Sequence, residues 1–192
     1  MVNSFCKTEN FEHITQVREG VHIVRFSDEV MVEEVYEDYQ PTGRYEDTGL
    51  TKFTEEIVMG EVTLDKVIAI RKQEIDKYDV SDDVNSFTYN GKQMWFDKVT
   101  RTCINYSMEV EKNAGKTETT LYDNEGNAHV LPIDLALGLF AQLELYAKAC
   151  YNVTQAHKAA VSELTSVEDA LAYNIKADYP EKLVIDNPEG GE

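Results

Sequence analysis

The chain has 192 residues, of which 42% are hydrophobic and 28% are charged, a balance that is typical of a globular protein. Its 36 acidic and 18 basic residues give a formal net charge of −18, and the basic residues form no cluster along the sequence. Phosphate backbones and anionic membrane surfaces are bound by clustered Lys and Arg. The charge therefore argues against nucleic acid and against a membrane surface as partners.

The N-terminal residues and the cysteines indicate a cytoplasmic protein without metal or disulfide chemistry. The first twelve residues lack the apolar core of a signal peptide, and the most apolar stretch, 131–145, is too short to cross a bilayer. Cys6, Cys103 and Cys150 are widely separated and have no histidine at ligand spacing, so neither disulfides nor a zinc site is expected. Cys103 and Cys150 fall among apolar residues of predicted helices, where we expect buried structural thiols.

Residues 1–62 are predicted to form a β-rich region, which is a candidate for binding a partner. Alternation on both sides of Glu19-Gly20 predicts two or three strands within residues 11–37. Residues 28–38 hold six acids and no base, which is typical either of a solvated strand edge or of an acidic docking surface. Residues 38–54 combine proline and glycine with little periodicity, so they predict a long loop, or else an arm that a partner orders.

Residues 63–192 are predicted to form a helical module. Thr63, Asp97 and Ser166 are suitable N-caps, and each precedes a segment with helical periodicity. Besides the long helix described below, the predicted helices span residues 63–78, 98–113 and 166–173.

The same module is predicted to contain two β-hairpins. The first turns at Asn90-Gly91, the dipeptide that most strongly predicts a tight hairpin, and the second turns at 124–126. Acidic and amide side chains at 123–127 are reminiscent of a calcium loop, but Leu121 occupies the position of the first ligand. We therefore predict no metal site in this turn.

The most informative pattern is a helix from Ile133 to about Leu164, in which apolar residues recur at three- and four-residue spacing over four heptads. Its length would be on the order of 45 Å, more than a globule of this size needs. The apolar seam can therefore serve the chain's own core on one side and a second copy of the chain on the other. The candidate interface residues are Leu139, Leu143, Tyr146, Val153 and His157.

The sequence contains no motif that specifies chemistry: it has no glycine-rich phosphate loop, nucleophile elbow, dinucleotide fingerprint or His-Glu-x-x-His. We accordingly predict no catalytic, cofactor-binding or metal-binding residues, no cofactor, and a protein that is not an enzyme. His157 is expected to be a packing residue of the seam. The alternatives are a hydrolase that uses His157 or Cys150 as base or nucleophile, and an acidic mimic of DNA.

Residues 71–183 follow a recognisable order: a helix that begins with a basic residue, a hairpin of the form F-x-x-x-G-x-x-x-x-x-D, a helix, a second hairpin, a long helix and a shorter one. The matching positions are Arg71, Phe87, Gly91, Asp97 and Arg101, with the hairpin around Asn124 and the helix after Pro132. In these features the segment resembles a domain of unknown function that is common in tailed phages and prophages near tail-fibre genes. The cluster from Tyr146 to Tyr179-Pro180 is similar to gut-bacterial versions of that family.

We therefore expect an α+β protein with a small β-rich N-terminal unit, followed by a helical module with two hairpins and one long C-terminal helix. The resemblance implies a non-enzymatic bacteriophage structural or assembly protein, preferentially a tail or tail-fibre associated component of the virion. Its partners would be other phage structural proteins and a second copy of the chain. The alternative is a tail-fibre assembly chaperone that acts in the host cytoplasm and is absent from the mature particle.

Overall fold

The computed structural model of the chain describes residues 2–37, 40–95 and 97–186, and it confirms the predicted α+β fold. Four strands precede the first helix, and short strands alternate with helices in the remainder. The strands are β1 (Val2–Lys7), β2 (Ile14–Arg18), β3 (Val21–Glu37), β4 (Gln40–Met59), β5 (Ser86–Tyr89), β6 (Lys92–Trp95), β7 (Glu118–Tyr122), β8 (Ala128–Pro132) and β9 (Val184–Ile185). The helices are α1 (Leu64–Asp79), α2 (Lys98–Asn113), α3 (Ile133–Ser162) and α4 (Val167–Ala172).

The chain divides into two compact units, each assembled from two segments. Unit 1 comprises Met1–Glu74 and Ala159–Ile175, and unit 2 comprises Ile75–Lys158 and Lys176–Glu192. The predicted boundary between the β-rich region and the helical module, at residue 63, lies between the end of β4 and the start of α1. The contacts nevertheless group the first part of α1 with the strands.

Unit 1 contains a four-stranded antiparallel sheet in the order β1-β4-β3-β2. β3 and β4 form one hairpin with strands of 17 and 20 residues, although strands usually have five or six. The core lies at the base of this hairpin, where Val24, Phe26 and Val58 pack against apolar residues of α1 and α4. The far end of the hairpin contributes nothing to that core.

The predicted loop at 38–54 is wrong, because residues 40–54 belong to β4; residues 38 and 39 lie outside the described part of the chain. The pairing of β3 with β4 shifts register between Val30 and Val32 and again between Glu34 and Tyr36. Such bulges insert extra residues and break the alternation by which a strand is recognised. β1 was also not predicted from the sequence.

Unit 2 is built from a three-stranded sheet in the order β6-β5-β9, a separate β7-β8 hairpin, α2 and most of α3. The hairpin turn at Asn90-Gly91 is confirmed, and both residues have positive φ angles, 47° and 73°, as a type I′ turn requires. The second hairpin is confirmed as well. The core of unit 2 consists of Phe87, Tyr89, Met94, Met108, Leu121, Leu131, Ala136, Leu139, Phe140, Leu143 and Ile185.

The helix predictions are confirmed to within about two residues at their ends. Asp97 caps α2 by accepting hydrogen bonds from the backbone N–H of Val99 (2.8 Å) and Thr100 (3.0 Å). Ser166 caps α4 by accepting from the N–H of Asp169 (3.0 Å). No helix in the described residues is long and apolar enough to cross a membrane.

Candidate functional site

The first candidate site is the far part of the β3-β4 hairpin, residues 28–37 and 40–50, which we call the arm. β1 pairs with β4 only as far as Leu50, and β2 pairs with β3 only as far as Val24. Beyond those points, the two strands pair with each other and with no third strand of the described chain. At about 3.3 Å per residue the arm is roughly 30 Å long, and both of its edges are open.

Large apolar side chains on the arm are exposed. Between 47% and 63% of the surface of Val30, Val32, Tyr36 and Tyr45 is accessible to solvent. A two-stranded ribbon with no covering layer is marginally stable in water. Exposed apolar surface on such a ribbon is typical of a segment that is covered by another molecule.

The arm is also strongly acidic. Residues 28–50 contain eight acidic residues and one basic residue, Arg44. Glu33 lies directly opposite Glu46 in the register of the hairpin. Like charges in directly opposed positions destabilise a strand pair, so the acidic arm gains stability when cations approach it.

The second candidate site is a cavity of about 690 Å³ in unit 2, a volume within the range of small-molecule pockets. It is lined by Asp79, Val80, Val84, Asn85, Asp97, Lys98, Val99, Arg101, Glu144, Ala147, Lys148, Cys150 and Tyr151. The Arg101 side chain is 9% exposed; its Nε donates to Glu144 Oε1 at 2.8 Å, and its Nη1 to Asn85 Oδ1 at 3.4 Å. Because Arg101 is paired with residues of the same unit, its observed role is to connect α2 with α3.

Cys150 and His157 do not form a nucleophile and base. Burial raises the pKa of the Cys150 thiol, so the protonated form dominates at neutral pH. His157 follows seven residues later on the same helix, which places the two Cα atoms about 10 Å apart. Its Nε2 donates to the backbone carbonyl of Ala177 at 2.8 Å, and its ring stacks on Tyr179 at 5.6 Å between centroids.

A second hydrogen-bonded group lies beside this histidine. Thr154 Oγ1 donates to Asp79 Oδ1 at 2.6 Å and lies 2.8 Å from the hydroxyl of Tyr179. Tyr78 packs edge-on against Tyr179 at 5.2 Å. These contacts fasten α3 to the segment around Tyr179 and account for the polar residues in this part of the helix.

The predicted interface residues of the long helix lie largely inside unit 2. Leu139, Leu143 and His157 are buried, Tyr146 packs against the core, and Val153 is half-buried. Leu139, Leu143 and Tyr146 therefore belong to the chain's own core. The prediction that the chain forms a homo-oligomer stays a prediction.

The cysteines differ from expectation in one case. Cys150 is buried as predicted, but the prediction that Cys103 is buried is wrong, because its side chain is exposed. The buried face of α2 carries Arg101 and Met108. Cys103 follows Arg101 by two residues, a rotation of about 200° around the helix, and so lies on the opposite side.

The turn at 123–127 uses its own carboxylate. Asp123 Oδ1 accepts from the N–H of Glu125 (2.9 Å) and Asn127 (2.8 Å), and Oδ2 accepts from Asn127 Nδ2 (3.0 Å) and lies 3.1 Å from His129 Nε2. The hydrogen bonds from Asn127, together with those from His129 and Glu125, hold the pKa of Asp123 far below its usual range. Within residues 2–37, 40–95 and 97–186, no three His, Cys, Asp or Glu side chains are placed to hold a metal ion.

The positions that carry the family resemblance have structural roles. Phe87 lies in the core of unit 2, Gly91 forms the hairpin turn, and Asp97 caps α2. Arg71 is fully buried in unit 1, where its guanidinium donates to Ser27 Oγ (2.9 Å), to the Glu74 carboxylate and to the backbone carbonyl of Tyr173. Burial lowers the pKa of Arg71, and the charge of Glu74 opposes that shift.

Sequence reasoning identified the acidic run at 28–38 but missed the arm as a structure. The apolar residues Val30, Val32 and Tyr36 of the arm lie within the predicted strands, whereas Tyr45 lies in the predicted loop.

A comparison with protein-family models, curated proteins and solved structures finds no match to this chain.

Proposed function

We propose that this chain is a non-enzymatic bacteriophage structural or assembly protein that binds a protein partner through the arm. The preferred form of the proposal is a tail or tail-fibre associated component of the virion. The observation that carries it is the open, acidic and partly apolar arm of unit 1. The phage context rests on the resemblance of residues 71–183 alone.

The arm supports a binding role because its composition opposes its independent stability. A ribbon of two strands with exposed Val32, Tyr36 and Tyr45 leaves apolar surface in water, and the Glu33–Glu46 pair adds repulsion. A partner that covers the apolar side chains and supplies positive charge relieves both costs. Long arms of this kind let one subunit reach a neighbour in an assembly.

The arrangement of unit 2 does not support the hydrolase that the sequence leaves as an alternative. The residues proposed for a hydrolase, Cys150 and His157, are separated by two helical turns, and the cysteine is held as a thiol. Among the charged side chains that line the cavity, the buried Arg101 is engaged by Glu144. A catalytic role for these residues would need their rearrangement.

The experiment that tests the proposal is quantitative peptide mass spectrometry on purified particles of the phage or prophage that carries the gene. A virion component is recovered in a fixed ratio to known tail proteins. An assembly chaperone is absent from particles but present in infected-cell lysate, bound to its client. Absence from particles and from every complex with a phage protein would refute both forms of the proposal.

A shortened-arm variant connects the proposal to the structure. Replacing residues 31–50 with Asn-Gly retains the pairing of Val30 with Thr51 and of β1 with residues 51–55. The core residues Val24, Phe26 and Val58 lie outside the deletion, so the unit should still fold. Its circular dichroism spectrum should show the sheet and helix signals of the residues that remain. We expect the variant to be lost from particles or from the client complex, and retention of a folded variant at wild-type level would contradict the role of the arm.

A further inference from the structure

We infer that the outer edge of β3 in the arm, residues 28–37, receives an extended, basic segment of the partner protein as an added β-strand. This inference rests on the proposed function and specifies the chemistry of the partner. The recognised segment would alternate apolar residues with Lys or Arg. Its backbone would continue the ladder of the sheet beyond the end of β2.

The outer edge of β3 is open beyond the end of β2. β2 covers β3 from Val21 to Val24, and the last backbone contact on that side joins Arg25 N to His13 O at 2.7 Å. From Phe26 to Glu37, no strand in the described chain pairs on this side of β3. Between the bulges at Val30–Val32 and Glu34–Tyr36, the open edge offers N–H and C=O groups to which an extended peptide binds by main-chain hydrogen bonds.

The two edges of the arm differ in charge. The β3 edge carries Asp28, Glu29, Glu33 and Glu34 and no base within residues 28–36. The β4 edge, residues 40–50, carries two acids together with Arg44. A basic strand therefore meets a more complementary charge on β3.

The same edge of β3 also carries exposed apolar side chains. Val30, Val32 and Tyr36 are 47%, 56% and 62% exposed. Apolar side chains of an added strand would cover them, since cross-strand neighbours lie about 5 Å apart. Because counter-ions would neutralise the acids but leave the apolar side chains exposed, the charge and the apolar surface together favour an added strand as the occupant of this edge.

The charge also decides against two other occupants. A second copy of this arm would place acids against acids, in a chain whose net charge is already −18. Nucleic acid would be repelled for the same reason. A basic segment of a different protein is the occupant that the arm's charge attracts.

The test uses synthetic peptides as probes with the full-length chain. The first is an eight-residue peptide that alternates Lys and Val, with blocked ends and a fluorescent label. The second replaces each Val with Pro, which keeps the charge but removes backbone N–H donors. The third replaces each Lys with Glu. We expect only the Lys-Val peptide to bind at low salt, with amide exchange slowed at residues 28–37.

A charge-reversal variant separates binding from folding. Glu33→Lys converts the Glu33–Glu46 pair into an attractive pair, so the free arm should be more stable while it repels the basic peptide. We expect an about two- to fivefold weaker affinity for the Lys-Val peptide, which is what one exposed charge pair contributes. The matched control is Glu181→Lys, an exposed site in unit 2 with the same change of charge and no expected loss of affinity.

Several outcomes would overturn the inference. Equal binding of the Lys-Pro peptide would indicate charge attraction without strand addition. Slowed amide exchange confined to residues 40–50 would show that the peptide binds to the edge of β4 and not to that of β3. Failure of the Lys-Val peptide to bind, or a dimer that the shortened-arm variant cannot form, would exclude a basic strand as the occupant.

If the peptide fails to bind but the shortened-arm variant still loses capture of a phage protein, the proposed function stands and only the partner's chemistry is wrong. If the peptide binds but the shortened arm is incorporated normally, the proposed function fails instead.

Discussion

The placement of the long-helix seam can be tested with two leucines that are two residues apart on α3. Leu143 is 5% exposed and belongs to the core of unit 2, whereas Leu145 is 74% exposed. Leu→Ala removes three carbon atoms, each worth about 0.8 kcal/mol when buried. With the cavity that remains, Leu143→Ala should cost about 3 to 4 kcal/mol. Leu145→Ala should cost about 0.5 kcal/mol, since only a quarter of that side chain is buried and Ala is a good helix former.

Thermal unfolding followed by circular dichroism, with light scattering for the molecular mass, measures both effects. For a chain of this size, about 3 kcal/mol corresponds to a lower Tm by roughly 6–12 °C, whereas Leu145→Ala should shift Tm by less than about 3 °C. The mass should not respond to Leu143→Ala before the chain unfolds. A Leu143→Ala variant with unchanged Tm and a halved mass would refute the intrachain packing and return the seam to a subunit interface.

Three other substitutions have defined outcomes. Arg71→Ala should cost about 3 to 5 kcal/mol in urea unfolding, because it leaves a buried carboxylate without its guanidinium partner; a loss below 1 kcal/mol would show that this pair is not buried in solution. The low pKa of Asp123, caused first by its hydrogen bonds from Asn127, stabilises the fold fully above about pH 4 and progressively less as pH falls further. Asp123→Asn should therefore flatten the decline of Tm below pH 4, and an unchanged acid profile would contradict the assignment. His157→Ala should cost about 1 to 3 kcal/mol and leave any detected turnover unchanged, so lost turnover in a folded variant would favour the hydrolase.

Elements that depend on local signals were predictable from the sequence. The hairpin at Asn90-Gly91, the cap at Asp97 and the end of α2 at Gly115 each need only a few neighbouring residues to specify them. The long helix was predictable because its apolar period persists over thirty residues. These features carry their stabilising interactions within the segment itself.

Elements that depend on distant partners were not predictable. β9 has two residues and exists because it pairs in parallel with β5 about a hundred positions earlier. β1 depends in the same way on β4. In the arm, bulges interrupt the two-residue period, so the sequence shows the charge of this segment but not its strands. The exposure of Cys103 required the orientation of α2, which its own sequence leaves ambiguous.

The residues that carry the family resemblance and those that carry the proposed binding are different sets. Arg71, Phe87, Gly91 and Asp97 stabilise turns, caps and cores, so a sequence pattern built on them indicates a shared fold more directly than a shared partner. The arm lies within residues 28–50, in front of the matching segment, where the stability of the cores imposes little constraint. Partner choice can therefore change through the arm while the remainder of the chain keeps its fold. On this argument, exchanging residues 28–50 alone should transfer partner specificity between chains of this fold.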